Sequence, residues 1–292
     1  MSVINTNVNS LVAQNAVNVN ARSMSRAMEQ LSTGKRINGS KDDAAGLSIS
    51  QIMTAQIRGL NQAVRNANDG ISLLQTADGA MIEQSNMLQR MRELAVQAST
   101  DTVTPDQKNY LDKEYQQLLA EINRIGESTQ WNGKDLLKGT GGSAATGVYT
   151  FQVGSNASQS FSVTIGNAVS TASGAAAGIY TDMHGSKIYD SADQSGAGTT
   201  AATAAIGKID LALKAANEQR ANIGAGINRL TYAADNLANI SMNTAASRSR
   251  IEDTDYATAS TELARTQIIQ QAATAMLAQA NQSPQSVLAL LK

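Results

Sequence analysis

Residues 51–74 read QIMTAQIRGLNQAVRNANDGISLL, and one apolar stripe runs through them: Met53, Ile57, Leu60, Val64, Ala67, Ile71 and Leu74, spaced alternately four and three. Residues at those separations stack on one face of an α-helix, so this is a heptad seam. Past Leu74 the stripe moves by one residue and resumes through Ala77, Met81, Leu88, Met91, Ala95 and Ala98. The spacing therefore predicts one helix over about 44–98 whose buried face rotates slightly along its length. At 1.5 Å rise per residue such a helix is roughly 80 Å long. A compact domain of this size has no use for it, so the expected architecture is elongated, with a partner stripe elsewhere in the chain or in another molecule.

A candidate partner lies near the other end. Ile206, Ile209, Leu213, Ala216, Ile223, Ile227, Leu230, Ala234 and Leu237 repeat the same spacing, with Arg220 standing where an apolar residue is expected. Between the two stripes, Thr104-Pro105-Asp106-Gln107 carries the marks of a helix start: Thr as N-cap, Pro at the first position, Gln placed to complete a capping box. The stripe Leu111, Tyr115, Leu118, Ile122 and Ile125 follows, so this helix folds back antiparallel on the long one. Trp131-Asn132-Gly133 then turns the chain.

From 139 to 198 the composition changes, and 11 of the 22 glycines fall there. Tyr149, Phe151 and Val153, then Phe161, Val163 and Ile165, alternate with polar residues around a loop, which reads as a β-hairpin. Residues 167–203 read as low-complexity surface or small irregular structure.

The ends differ from the middle. Residues 1–33 carry a short stripe at Ile4, Val8 and Leu11 and, out of phase with it, a longer one at Val17, Ala21, Met24, Met28 and Leu31. With many β-branched and Asn residues and nothing adjacent to cover the stripe, this segment folds only in company. The tail carries Ile269, Ala273, Met276 and Ala280, before Ser283-Pro284 restarts a final turn through Val287, Leu288, Leu290 and Leu291. A polar break at 32–46 links the N-terminal segment to the long helix.

Several functions are disfavoured. The 292 residues include no cysteine and a single histidine, and the net charge is -1, so neither disulfides, thiolate chemistry nor nucleic-acid binding is expected. His184 has no Cys or second His to complete a metal site. Gly34-Lys35 is followed by Arg36 rather than Ser or Thr and no strand precedes it, so it is not a phosphate loop. Asp42, Asp43, Glu252, Asp253 and Asp255 suit helix capping and linkers. With no converging catalytic set, the chain is not expected to be an enzyme, and no cofactor or metal is expected. It shows neither a cleavable signal pattern nor a membrane span of about 18 or more apolar residues.

Long motifs at both ends carry a resemblance. Asn5-Thr6-Asn7, Leu31-Ser32-Thr33-Gly34, Asp42-Asp43-Ala44-Ala45-Gly46, Asp69-Gly70-Ile71-Ser72-Leu73-Leu74-Gln75-Thr76-Ala77 and Gln89-Arg90-Met91-Arg92-Glu93-Leu94-Ala95-Val96-Gln97 stand in the first half. Arg248-Ser249-Arg250-Ile251-Glu252-Asp253 and Leu277-Ala278-Gln279-Ala280-Asn281-Gln282 stand near the end. Over residues 2–138 and 205–292 the chain resembles bacterial flagellin, in a short form without large outer domains. The resemblance implies a mainly α fold: an antiparallel helical coiled-coil rod, a small β-hairpin region, and both termini paired as helices in an inner domain. The expected division is 1–43 and 247–292 for that polymerisation domain, 44–166 and 204–246 for the rod, and 167–203 as a variable surface segment.

It further implies export through the flagellar type III route and self-assembly into the extracellular filament. Expected partners are further copies of the chain, hook-associated and cap proteins, and a cytoplasmic export chaperone at the C-terminal segment. A hook–filament junction protein and an unrelated coiled-coil scaffold are the alternatives. Met24, Met28, Leu31, Ile269, Met276, Val287, Leu288, Leu290 and Leu291 are the expected polymerisation residues, since their apolar stripes need cover. Gln89, Arg90, Leu94 and Glu114 match positions read by the flagellin-sensing Toll-like receptor of hosts, and Arg90 offers a planar multi-donor contact.

Overall fold

The computed structural model describes residues 7–142, 147–169, 179, 180, 183, 185–189 and 198–289, with the backbone alone described at 198, 199 and 283–289. Among the described residues the fold is mainly α: α1 is Val8–Thr33, α2 Ala44–Ala98, α3 Pro105–Ser128, α4 Gly198–Glu252 and α5 Tyr256–Ala289. Two antiparallel hairpins complete it, β1 (Gln130–Trp131) with β2 (Lys134–Asp135) and β3 (Val148–Gln152) with β4 (Ser160–Thr164). The chain forms two compact units, Arg58–Ser241 and a second made of Met1–Ile57 with Met242–Lys292.

In the central unit the heptad stripe of α2 is the core. Ala77, Met81, Leu88, Met91, Ala95 and Ala98 are all fully buried, joined by Tyr115 and Ile122 of α3 and by Ile209, Ala216, Ile223 and Leu230 of α4. The gap in the stripe between Met81 and Leu88 is filled by Gln84, also fully buried. Its Nε2 donates to the carbonyls of Ile122 (3.0 Å) and Ala168 (3.2 Å), and its Oε1 accepts from the Tyr180 hydroxyl (3.2 Å). A buried amide is tolerated because its donor and acceptor are both used. Arg220 of the α4 stripe is accommodated by Asp78, Nε to Oδ1 2.9 Å.

Caps fix the element ends. Thr104 accepts from the Gln107 N–H (3.4 Å) while the Gln107 side chain accepts from the Thr104 N–H (3.0 Å), the expected capping box. Asp43 Oδ1 accepts from the Gly46 N–H at the start of α2, and Asp255 Oδ1 from the Ala257 N–H at the start of α5. Asn132 (φ 48°) and Gly133 (φ 74°) make the tight β1–β2 turn. In the larger hairpin Tyr149 pairs with Val163 and Phe151 with Phe161, as the alternation predicts.

The phase break within 1–33 falls inside one helix, since α1 runs unbroken from Val8 to Thr33. Two expectations need correction. Pro284 does not restart a turn, because α5 continues through it to Ala289. Residues 167–203 are not simply surface: Ala168, Tyr180, Met183 and Ile188 are fully buried in the central core, and α4 already begins at Gly198. Ile4, His184, Leu290 and Leu291 lie outside the described residues.

Candidate polymerisation interface

The unit built from both ends of the chain consists mainly of α1 and α5, paired antiparallel. Asn7 meets Ala280, Ser10 meets Asn281, Asn20 meets Thr266, and Gly34 meets Thr254. Residue numbers fall along one helix as they rise along the other, at a nearly constant sum. Asn20 and Ala27 are the buried positions of α1, with Ala13, Val17, Met24 and Leu31 among its half-buried ones, and on α5 the buried or half-buried positions are Ala259, Leu263, Thr266, Gln270, Ala273, Leu277 and Ala280. Both sets alternate four and three. The centre of this seam is polar: Asn20 Nδ2 donates to the Thr266 carbonyl (2.8 Å) and to Gln270 Oε1 (2.9 Å).

At the linker end the two strands of chain form a short antiparallel bridge between Lys35 and Asp253. The Arg36 N–H donates to the Glu252 carbonyl (2.7 Å) and the Thr254 N–H to the Gly34 carbonyl (3.0 Å). Lys35 Nζ sits 2.5 Å from Glu252 Oε1, and Arg36 Nη2 donates to the Ile251 carbonyl at 2.7 Å. Asp42 accepts from the Asn38 and Gly39 N–H groups through Oδ2 and lies 3.7 Å from Arg26.

This seam leaves most of the apolar surface uncovered. Val8, Leu11, Val12, Val19 and Met28 of α1, and Ile268, Ile269 and Met276 of α5, are all exposed. Of the residues expected to bind neighbours, Met28, Ile269 and Met276 are therefore outside the seam, while Met24 and Leu31 are half-buried within it. The side chains of Val287 and Leu288 are outside the described residues, as are Leu290 and Leu291 entirely. Val12, Val19 and Ile268 were missed because a search for one stripe passes over a second face. Their signal was present, since a helix apolar on more than one side is one that is covered on more than one side. Among the described residues no group of His, Cys, Asp and Glu could hold a metal ion. No described helix is long and apolar enough to cross a membrane.

In the central unit, Gln89, Arg90 and Glu114 are exposed and adjacent. Arg90 donates to Glu114 Oε1 through Nε (3.1 Å) and Nη2 (3.0 Å), and to Glu93 Oε2 through Nη1 (3.0 Å). The hydrogen bonds it donates, to Glu93 first and then to Glu114, hold its guanidinium above its ordinary pKa. Leu94 is only 1% exposed and belongs to the core beneath them.

Residues 4–141 match the bacterial flagellin N-terminal helical region, and residues 206–291 match the bacterial flagellin C-terminal helical region. The chain belongs to the bacterial flagellin family. It is 44% identical over 290 residues to a flagellin of Halalkalibacterium halodurans, covering 99% of this chain and 100% of that one. It is 40% identical over 295 residues to the flagellar filament 33 kDa core protein of Treponema phagedenis, with 99% and 100% covered. A solved flagellin from Bacillus cereus is 31% identical over 59% of this chain and 88% of its own, with a TM-score of 0.47. The fold is shared with a putative flagellar hook-associated protein from Vibrio parahaemolyticus, 12% identical over 73% of this chain and 100% of that one, TM-score 0.59. Flagellins form the extracellular flagellar filament and are structural rather than enzymatic proteins.

Proposed function

We propose that this chain, a structural subunit of the flagellar filament, polymerises chiefly through the exposed apolar faces of α1 and α5. The supporting observation is that a two-helix unit leaves eight large apolar side chains outside its own seam. Burying each is worth about 1.5–3 kcal/mol, and only contact with neighbouring copies offsets the cost of ordering both termini. On this reading 1–43 and 247–292 form the polymerisation domain, 44–166 and 204–246 the rod domain, and 167–203 the variable segment. The termini are unfolded in the monomer and become helical on assembly. Before export they need cover, which gives a cytoplasmic chaperone its site on the C-terminal segment.

The test is removal of residues 284–292. Sedimentation and negative-stain microscopy should show filament growth lost or weakened, with the helical signal of the central unit retained by circular dichroism. Filaments of normal length and stability from the truncated chain would overturn the reading. A junction protein would instead be recovered in few copies from sheared surface fibres. Equal chaperone affinity for the full chain and for one lacking 250–292 would remove the proposed chaperone site.

The exposed cluster of Gln89, Arg90 and Glu114 supports a second role, recognition of the monomer by a host flagellin-sensing Toll-like receptor. Arg90 is held extended along the surface by two carboxylates, which limits the entropy lost when a partner binds it. Leu94 would support this surface from below rather than touch the receptor. Receptor ectodomain should bind monomer, lose affinity for Arg90→Ala and Glu114→Ala, and bind crosslinked filament less per subunit. Undiminished binding by both variants would exclude the site.

A further inference from the structure

We propose that Asn7 sets the register of the paired termini by supplying the hydrogen bond that Pro284 withholds from α5. In an α-helix the N–H of each residue bonds the carbonyl four positions earlier. Residue 284 is proline and has no N–H, so the carbonyl of Ala280 has no helical donor, yet α5 runs on to Ala289. The missing donor comes from the other end of the chain: Asn7 Nδ2 lies 2.9 Å from the Ala280 carbonyl oxygen. The same carboxamide uses Oδ1 to accept the Ser10 N–H at 3.1 Å as the N-cap of α1. One side chain thus closes a vacancy at the start of one helix and a vacancy inside its partner.

The side-chain pairs Asn20–Gln270 and Ser10–Asn281 also favour this alignment, but the Asn7 contact alone among these bonds answers a backbone vacancy in the partner helix. Asn20 also donates to a carbonyl of α5, that of Thr266, but Gln270 four residues on has an N–H to offer the same oxygen. Carbonyls of that kind recur at every residue, whereas the carbonyl facing Pro284 occurs once. A slip of α1 along α5 leaves Ala280 without a donor and removes the adjacent bond from Ser10 Oγ to Asn281 Oδ1 (2.8 Å). Polar groups satisfied in one alignment only are the means by which paired helices fix their register. The proposal rests on the polymerisation reading, because register of the termini decides which apolar side chains face a neighbouring copy.

The full-length chain is assembled into filaments as a two-by-two set: parent, Asn7→Asp, Pro284→Ala and the double variant. Aspartate keeps or improves the N-cap but cannot donate to a carbonyl, so it separates capping from bridging. Asn7→Asp should raise the critical concentration for assembly about tenfold in the parent, the size of one lost hydrogen bond. In the Pro284→Ala background, where residue 284 again donates to Ala280, the same change should cost less than about twofold. Register is read separately in a Ser10→Cys, Asn281→Cys pair, unambiguous because the chain has no cysteine, and its disulfide yield should fall when Asn7→Ala is added. Equal effects of Asn7→Asp in both backgrounds, or an unchanged disulfide yield, overturn the proposal and leave the polymerisation reading standing. Normal assembly of a chain lacking 284–292 overturns that reading instead.

Discussion

Arg220 of α4 donates through Nε to Asp78 of α2 at 2.9 Å, and the two side chains are only 34% and 31% exposed. The pair stands inside the heptad seam, where every other α4 position of the stripe is apolar, so it fixes the alignment of two long helices in the way a single polar rung does in a coiled coil. Partial exposure screens it, and the pair should couple by about 1 kcal/mol rather than by the larger value of a dry interior. Arg220→Ala alone should destabilise the soluble chain by about 1–2 kcal/mol, since it strands Asp78 and removes the apolar stem that packs along the seam. Urea unfolding of both single variants and the double variant checks this. Strict additivity would remove the pair from any account of helix alignment.

The buried tyrosines predict an alkaline limit to stability. Burial pushes the phenols of Tyr115, Tyr149 and Tyr180 above their ordinary value of 10.0. Below about pH 10 each is protonated in both folded and unfolded chains and ionisation contributes nothing. Above it the unfolded chain ionises first and binds fewer protons than the folded one, so stability falls as pH rises. Melting temperature of the soluble chain should be flat from about pH 8 to about 10 and decline beyond. Tyr180→Phe should lower the plateau, because Gln84 Oε1 loses its donor, yet show a shallower alkaline decline. A decline as steep as the parent's would show that Tyr180 is not among the groups responsible.

The sequence announced the long helices well because their seams are made of apolar residues, and Thr104, Asp43 and Asp255 mark helix starts by chemistry that needs no tertiary context. The α1–α5 seam was legible only in part. Val17, Met24 and Leu31 of one apolar stripe and Ala273 and Ala280 of the other stand in it, but at its centre Asn20 bonds the Thr266 carbonyl and the Gln270 side chain, and apolar spacing does not register polar members. Gln84 was passed over on the same grounds. Tyr180, Met183 and Ile188 reach the core from irregular backbone, which has no period to read. The Arg90 surface was legible as a motif, but only the packing of α2 on α3 shows Glu114 as its partner and Leu94 as interior.

Gly126 and Gly79 make a pair of opposite predictions from one substitution. Both are helical, and replacing a helical glycine with alanine gains about 0.5–1 kcal/mol of backbone entropy when the site has room. Gly79 has room, since nothing lies within 4 Å of an added Cβ. At Gly126 the new Cβ would stand 2.8 Å from the Ala168 carbonyl oxygen and 2.8 Å from Val169 Cγ2. That oxygen cannot retreat freely: it accepts from buried Gln84 (3.2 Å), and the Ala168 N–H is tied to the Leu137 carbonyl at 2.7 Å. Forcing the two apart strains backbone on one side and the Gln84 network on the other, at about 1–3 kcal/mol, which exceeds the entropic gain. Denaturant midpoints of the soluble chain should therefore rise for Gly79→Ala and fall for Gly126→Ala. If Gly126→Ala were neutral or stabilising, close approach of the segment at 168–169 would not be what holds it against α3.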